Sequence, residues 1–241
     1  MNRRNEEQAF LLHSTPYRET SLIVDLFTRE HGRIAAVARG AKRPRSQLRA
    51  VLLQFQPLTV SFSGRGELRT LTAAEWTGGG LAPRGNGLLC AFYLNELLVR
   101  LLPREDSHPK LYDAYGDALA ALAGGAALDD TLRRFEWELL REIGYAPDLR
   151  RDSARRPIEP GREYRWSPAE GFVLVAAEPG TGAAAGRDVV RGATLLGLGE
   201  SRFDTAGGRS QAKYLTRAIL AHHLDGVVLK TRQILIDLQK L

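Results

Sequence analysis

The stretch SLIVDLFTREHGRIAAVAR, residues 21–39, is the part of the sequence that decides the fold. Its first segment, Ser21–Thr28, is rich in β-branched and aromatic residues, which favour a β-strand. Glu30-His31-Gly32 is typical of a tight turn, and Arg33–Arg39 provides a second strand directly after it. We therefore predict a β-hairpin over this stretch.

Three further strand-like segments flank the hairpin. Upstream, Ala9–His13 is apolar and ends at the turn signal Ser14-Thr15-Pro16. Downstream, Leu58–Phe62 alternates apolar and polar residues with the period of two that a half-buried strand requires, and Glu67–Ala73 follows after a glycine-containing turn. Five short strands in about 75 residues indicate a small barrel, and the OB-fold is the commonest five-stranded barrel.

The composition changes after Trp76, where Gly78-Gly79-Gly80 and Pro83 mark a domain boundary. We expect an OB-fold domain at residues 1–80 and a helical domain at 81–241, giving an α+β protein. An irregular, proline-containing module is predicted at 145–186, with a candidate hairpin that pairs Glu163–Trp166 with Gly171–Val175. Apolar spacing predicts helical segments at Leu88–Leu102, Leu111–Leu122, Thr131–Ile143, Val189–Leu198, Gln211–Leu224 and Ile234–Leu238.

Composition and motifs exclude several classes of protein. A hydrophobic fraction of 44% permits a packed core, and no apolar run reaches the roughly 18 residues of a membrane helix. The single cysteine, Cys90, rules out an internal disulfide framework and favours a reducing cytoplasm. It lies in an apolar helical segment, where we expect it to be buried. His222 and His223 point about 100° apart on a helix, which disfavours a shared metal ion. No phosphate-binding loop, zinc-protease motif or nucleophile elbow is present, so we expect no cofactor and no enzymatic activity.

Positive charge is concentrated in the first third of the chain. The whole sequence has a formal net charge of +6, and residues 1–80 carry 12 Lys/Arg against 7 Asp/Glu. Between Glu30 and Glu67 there are seven cations and no acidic residue. Five of these cations fall within the eleven residues from Arg39 to Arg49, on a connection between two predicted strands. Such a segment is suited to contact several phosphates at once.

Two other interpretations stay open at this point. The alternative interpretation of the basic segment is a block of like charges on a solvated, mobile loop that only aids solubility. Phe27, Phe55 and Phe62 lie in the strand region and would stack on bases if they faced a groove, but we expect them in the core. Leu132–Leu140 is predicted as an amphipathic helix, either a core helix or a surface for the acidic, apolar tail of a partner.

Several segments together resemble the RecO family of bacterial recombination mediators. They are Ala9–Phe27, Val37–Lys42, Gly64–Leu71, Tyr93–Leu98, Leu132–Glu136 and Leu140–Tyr145. The resemblance implies an N-terminal OB-fold, a mostly helical C-terminal region and a nucleoid-associated protein that binds single- and double-stranded DNA and anneals complementary strands. It also implies cooperation with RecR, which displaces the single-stranded-DNA-binding protein so that RecA can load.

The resemblance also guides the choice of site residues. For phosphate contacts we expect Arg33, Arg39, Lys42, Arg43, Arg45 and Arg49, with a weaker second cluster at Lys213, Arg217, Lys230 and Arg232. For the acidic C-terminal tail of the single-stranded-DNA-binding protein we expect Arg133. Two alternatives remain, namely an RNA-binding OB-fold module and a phosphoryl-transfer enzyme. The enzyme would require two of Asp25, Glu67, Glu75, Glu96 and Asp106 to converge.

One feature departs from the family pattern. Many RecO proteins carry a four-cysteine zinc site after a Tyr-x-Pro-x-Leu segment, which corresponds here to Tyr145–Leu149. Asp152 and Arg155 stand where the first Cys-x-x-Cys pair would fall. Because the chain has a single cysteine, we expect no metal, and we expect the module at 145–186 to be held by packing alone.

Overall fold

A computed structural model describes residues 4–79, 82–175, 188–200, 202, 207–231, 233 and 234. Its N-terminal part is a closed five-stranded barrel with strand order β1-β2-β3-β5-β4, in which β3 and β5 pair in parallel and the other neighbours are antiparallel. The strands and the short helix between β3 and β4 are β1 (Arg4–Tyr17), β2 (Ser21–Thr28), β3 (Gly32–Ala38), α1 (Gln47–Val51), β4 (Pro57–Ser63) and β5 (Leu68–Trp76). All five predicted strands are present, and the predicted OB-type barrel is confirmed.

The turn between β2 and β3 is fixed by hydrogen bonds within the turn and to β1. The Thr28 hydroxyl donates to the Gly32 carbonyl at 2.9 Å, and the His31 amide donates to Glu7 Oε1 at 3.1 Å. Gly32 has a φ of +63°, and a Cβ at this position would lie 1.7 Å from the Asp106 carbonyl oxygen. Only glycine fits here, because both the dihedral angle and the close backbone approach exclude a side chain.

The barrel interior is formed by alternate residues of each strand. In β4 the buried side chains are Leu58, Val60 and Phe62, as the period-two pattern predicts. Phe27 and Phe55 are also buried, which confirms that these aromatic residues belong to the packed interior of the protein. The contacting core residues of the barrel are Ala9, Leu11, Val24, Leu26, Ile34, Ala36, Ala38, Ala41, Leu52, Leu58, Val60, Phe62 and Leu71.

The remaining elements are mainly helical and include a three-stranded sheet of order β7-β6-β8. The predicted hairpin is confirmed as β6 and β7, and Cys90 is buried in α2. The elements are α2 (Asn86–Leu101), α3 (Pro109–Ala123), α4 (Leu128–Glu142), β6 (Glu163–Ser167), β7 (Gly171–Leu174), β8 (Val189–Arg191), α5 (Gly192–Gly199) and α6 (Gly208–His223).

The predicted helix at Val189–Leu198 is partly wrong. Its first residues form β8, because Val189 and Val190 pair with β6 and both side chains are buried. The helix begins at Gly192, where a Cβ would lie 2.0 Å from the Glu159 carbonyl oxygen. Of the predicted helical segment Ile234–Leu238, only Ile234 is among the described residues.

The chain divides into two compact units. The barrel unit comprises Met1–Leu128 and Val228–Leu241, and the second unit comprises Asp129–Val227. Within the barrel unit, α2 and α3 pack on the outside of the barrel. The ring centroids of Phe10 and Tyr115 are 5.0 Å apart, and Asn95 Nδ2 donates to the Leu12 carbonyl at 2.9 Å. The compact barrel unit therefore extends beyond the sequence boundary that the glycines near residue 80 mark.

Candidate nucleic-acid interface

The segment from Arg39 to Arg49, here called the basic loop, consists of a series of turns after β3 and the first residues of α1. The Arg43 amide donates to the Gly40 carbonyl and the Ser46 amide to the Arg43 carbonyl, both at 3.0 Å. Ala41, in the middle of the cations, is only 1% exposed and belongs to the barrel core. The loop is therefore anchored to the barrel near its start, while the cations on both sides of the anchor are exposed.

The basic loop also bonds to the turn between β1 and β2. The Lys42 amide donates to the Thr20 carbonyl at 2.9 Å. Gly40 has a φ of +69°, and the Arg43 side chain lies across it, so that a Cβ on residue 40 would be 3.5 Å from Arg43 Cδ. This geometry holds the backbone of the loop in place at the start of its cationic residues.

The side chains of the basic loop carry unneutralised charge. No ion pair connects them to any residue that the structure describes, and all five residues are exposed. They are Arg39, Lys42, Arg43, Arg45 and Arg49. A row of solvated cations on a fixed backbone can contact consecutive phosphates without breaking bonds inside the protein.

Arg18 was not among the residues predicted from the sequence. It lies exposed in the β1–β2 turn, two residues before Thr20, with its guanidinium 5.1 Å from the centre of the Tyr17 ring. The signal that would have found it was its position after Pro16 in a strand-connecting turn. Arg65 is exposed in the β4–β5 turn. These two turns are the loops with which OB-folds commonly bind oligonucleotides.

The position of Arg33 does not fit the predicted phosphate contact. Its side chain is only 13% exposed, its Nε donates to the Leu102 carbonyl at 3.0 Å, and its Nη1 lies 3.7 Å from Asp25 Oδ1. Arg104 Nη2 lies 3.3 Å from the same carboxylate oxygen. Burial lowers the pKa of Arg33, the charge of Asp25 raises it, and that of Arg104 lowers it again. Arg33 thus holds the segment after α2 against β3.

The weaker C-terminal cluster is not a single group of free cations. Lys213 Nζ lies 2.9 Å from Asp129 Oδ1, and this hydrogen bond is the main reason why the pKa of Asp129 is lowered, with Arg217 a lesser contributor. Lys230 is exposed and belongs to the barrel unit, whereas Lys213 and Arg217 belong to the second unit. Arg232 lies outside the described residues.

Arg133 does not fit the predicted surface for a partner's acidic tail. It is 2% exposed inside the second unit, where its Nη2 donates to Glu136 Oε1 at 2.5 Å. Its Nη1 donates to the Thr216 hydroxyl at 2.9 Å. Both Nη atoms of the guanidinium are therefore engaged by groups within the fold. The sequence offered one clue, since Arg133 and Glu136 are three residues apart on a helix and so face the same side.

Carboxylates that would serve a metal-dependent enzyme are engaged elsewhere. Asp25 lies between two arginines, and Glu96 accepts hydrogen bonds from the backbone amides of Lys230 and Thr231, each at 2.9 Å. Within the described ranges, no group of three or more His, Cys, Asp or Glu side chains could hold a metal ion. In the same ranges, no helix has the length and apolar character needed to cross a membrane.

Two family models match the chain over most of its length. The model for the recombination protein O N terminal domain matches residues 1–79, and the model for the recombination protein O C terminal domain matches residues 83–233. The chain belongs to the RecO family. The boundary between the two matched regions coincides with the glycine-rich segment after Trp76.

Individual RecO proteins are similar to the chain along its full length. A protein of Ralstonia nicotianae named DNA repair protein RecO is 51% identical over 241 residues, covering 100% of this chain and 87% of that protein. The DNA repair protein RecO of Burkholderia pseudomallei is 52% identical, with coverage of 98% and 84%. That of Aromatoleum aromaticum is 46% identical, with coverage of 99% and 98%.

The residues at the family's zinc position do not fit a zinc ion in this chain. Asp152, 5% exposed, accepts hydrogen bonds from the Arg156 amide and from Arg156 Nε, both at 2.8 Å. Desolvation raises the pKa of Asp152, but the hydrogen bonds and charge of Arg156 outweigh it, so that the pKa lies below its ordinary value. The expectation that packing alone holds the module is therefore wrong, because a carboxylate-centred set of hydrogen bonds closes the turn.

Proposed function

We propose that the chain is a DNA repair and recombination mediator that binds single- and double-stranded DNA through the basic loop. The observation that carries this proposal is the set of five exposed cations on a folded loop, without ion pairs to the described residues. Arg18, in the β1–β2 turn to which the Lys42 amide bonds, extends the positive surface. Membership of the RecO family and the names of its relatives support a role in DNA repair.

The proposed mechanism is the annealing of complementary strands, which needs no residue that makes or breaks a covalent bond. The basic loop neutralises phosphates, and this lowers the repulsion between two strands. Base pairing then supplies the free energy of the product. Binding of this type is nearly independent of sequence and weakens as salt concentration rises, because each phosphate contact releases counterions.

We also propose that the protein works with RecR and with the single-stranded-DNA-binding protein so that RecA loads on DNA. The resemblance of the chain to RecO proteins supports these partners. The acidic tail of the single-stranded-DNA-binding protein needs an accessible cation, and Arg133 does not provide one in this structure. The tail would therefore dock elsewhere on the chain.

The proposal is tested by replacing Lys42, Arg43 and Arg45 together with alanine. We expect weaker binding to every DNA sequence, and a dependence of log K on log salt that flattens by about 0.7 to 0.9 per lost contact. The fold should persist, because exposed cations usually change stability by no more than about 0.5 kcal/mol. Titrations of labelled oligonucleotides at several salt concentrations measure both quantities.

A matched control separates local contacts from total charge. Arg162→Ala/Arg191→Ala/Arg209→Ala removes the same charge from arginines that already face Glu159, Glu163 and Asp130. This control should keep the parental slope. If the basic-loop variant also keeps it, the loop only aids solubility and the proposal is wrong. Parallel titrations with RNA oligonucleotides test the alternative of an RNA-binding module, which a clear preference for RNA would favour.

A further inference from the structure

A second cationic surface lies in the second unit, at residues 150–156, here called the arginine turn. Arg150, Arg151 and Arg155 are exposed and form no ion pair with any described residue. The acidic residue among them, Asp152, is directed inward and bonded to Arg156. Asp148, an exposed carboxylate beside the turn, accepts the Arg150 backbone amide at 2.9 Å. Three arginines therefore keep their charge towards solvent.

The backbone of the arginine turn is well determined by hydrogen bonds. The Asp152 amide donates to the Arg156 carbonyl at 2.9 Å, and the Ile158 amide donates to the Arg150 carbonyl at 2.9 Å. The Ser153 amide donates to the Phe172 carbonyl at 2.8 Å, which joins the turn to the outer edge of β7. The arginines thus project from a fixed support, so that ordering them on a ligand costs little backbone entropy.

A row of aromatic rings, here called the aromatic ledge, lies in the same unit. Its members are Tyr145, Trp166, His222 and His223. Tyr145 stacks on His223 with centroids 3.9 Å apart and planes at 12°, and Trp166 meets His222 edge to face at 6.0 Å. Tyr145 is 40% exposed. Desolvation and the neighbouring His222 lower the pKa of His223, and a hydrogen bond to the Tyr145 backbone raises it; the net lowering favours the neutral ring.

Strand register brings the two features together. Trp166 pairs with Phe172 across β6 and β7, and Phe172 accepts the Ser153 amide of the arginine turn. Since hydrogen-bonded strands lie about 4.8 Å apart, Ser153 and Trp166 are separated by roughly two strand spacings. Tyr145 also precedes Arg150 by only five residues in the chain.

We propose that the arginine turn and the aromatic ledge form a second surface, specific for single-stranded DNA. Arginines contact the phosphates, and unpaired bases stack on the exposed rings, which is the combination that single-strand binders use. Duplex DNA offers phosphates but no free base faces, so the ledge adds affinity only for unpaired strands. The inference rests on the proposed function, because a protein that anneals two strands gains from a contact surface for each.

The test uses the full chain with the basic loop already changed to Lys42→Ala/Arg43→Ala/Arg45→Ala, so that residual binding reports the second surface. Adding Arg150→Ala/Arg151→Ala/Arg155→Ala should weaken binding of a 20-residue oligothymidylate by about tenfold and reduce its salt slope by about 2. Lysines at the same three positions should retain the slope. The paired-arginine control, Arg162→Ala/Arg191→Ala/Arg209→Ala, should change neither quantity.

The stacking half of the inference has its own variant. Tyr145→Leu keeps an apolar side chain but removes the ring, and should lower oligothymidylate affinity about fivefold, since the stacking of a base on an aromatic ring contributes to single-strand binding. Affinity for a duplex of equal length should stay within about twofold, because a duplex contacts the phosphate-binding arginines alone. Equal losses for both ligands, or an arginine-turn variant that matches the control, would overturn the inference. The proposed function fails on a different result: the Lys42→Ala/Arg43→Ala/Arg45→Ala protein would bind DNA with the affinity and salt dependence of the parent.

Discussion

Arg133 and Glu136 form an ion pair in the interior of the second unit, where Glu136 is fully buried. Desolvation of two charges is costly, and it is offset only when hydrogen bonds satisfy both groups. Arg133 meets this condition in part through the Thr216 hydroxyl, which itself donates to the Ala212 carbonyl at 3.0 Å. The pair thereby connects α4 to α6.

Arg133→Glu should destabilise the fold rather than act on a partner. It would place a second carboxylate beside buried Glu136, and we expect the free energy of unfolding to fall by about 3–5 kcal/mol. Urea unfolding followed by circular dichroism measures this change. The double variant Arg133→Met/Glu136→Leu removes both charges and should recover most of the loss. If the Arg133→Glu protein is as stable as the parent and loses only its binding to the acidic-tail peptide, Arg133 is a surface residue that binds the tail, and this account is wrong.

Asp152→Asn tests the carboxylate that closes the arginine turn. The folded pKa lies below the ordinary value of 3.8, so the ionised form stabilises the fold above that value, and this contribution is lost as pH falls through the folded pKa. The variant should therefore be less stable than the parent at pH 7 and pH 5, with a smaller difference at pH 3. Chemical unfolding at the three pH values checks the trend. A difference that grows on acidification would contradict this account.

At the scale of elements, strands with a strict period were predictable and their extensions were not. β2 begins and ends where the sequence indicated, because β-branched residues continue up to a clear turn. β1 runs to Tyr17, past the predicted end at His13, since Ser14 and Pro16 pair with β2 in spite of their turn-like composition. A register shift between Leu11 and His13 breaks the alternation that would have revealed this. β8 has three residues, too few for a pattern.

The attachment of α2 and α3 to the barrel depends on Asn95, which is 3% exposed. Its Nδ2 donates to the Leu12 carbonyl at 2.9 Å, and its Oδ1 accepts the Tyr115 hydroxyl. Asn95→Leu removes both bonds and should cost about 1–3 kcal/mol of unfolding free energy, because buried polar groups lose their partners. Arg100→Leu, at an exposed position of the same helix, should change it by no more than about 0.5 kcal/mol. Equal effects of the two variants in urea unfolding would show that Asn95 does not fasten the helix.

At the scale of the whole molecule, the charge distribution located the basic loop, but formal charge could not show which cations are neutralised. Arg33 was indistinguishable from Arg39 in sequence, yet it faces Asp25, a partner on the neighbouring strand. The burial of Arg133 could not be predicted either, because it depends on a similar long-range contact with Thr216. Pairings between residues so distant in sequence depend on strand register and helix packing. The aromatic ledge was missed for the same reason, because its four rings come from three separate places in the sequence.

Strand annealing by the whole protein should respond to salt in the direction opposite to spontaneous annealing. Free complementary strands anneal faster as salt rises, since added ions screen the repulsion between phosphates. With the protein present, each phosphate contact displaces counterions, so added salt weakens binding, and the assisted rate should fall about tenfold or more between roughly 50 and 200 mM. Fluorescence quenching between labelled strands measures both rates. The Lys42→Ala/Arg43→Ala/Arg45→Ala protein should be slower and less salt-dependent than the parent, because fewer counterions are released. If the assisted rate instead rises with salt in parallel with the spontaneous one, charge neutralisation by the basic loop is not how the protein promotes annealing.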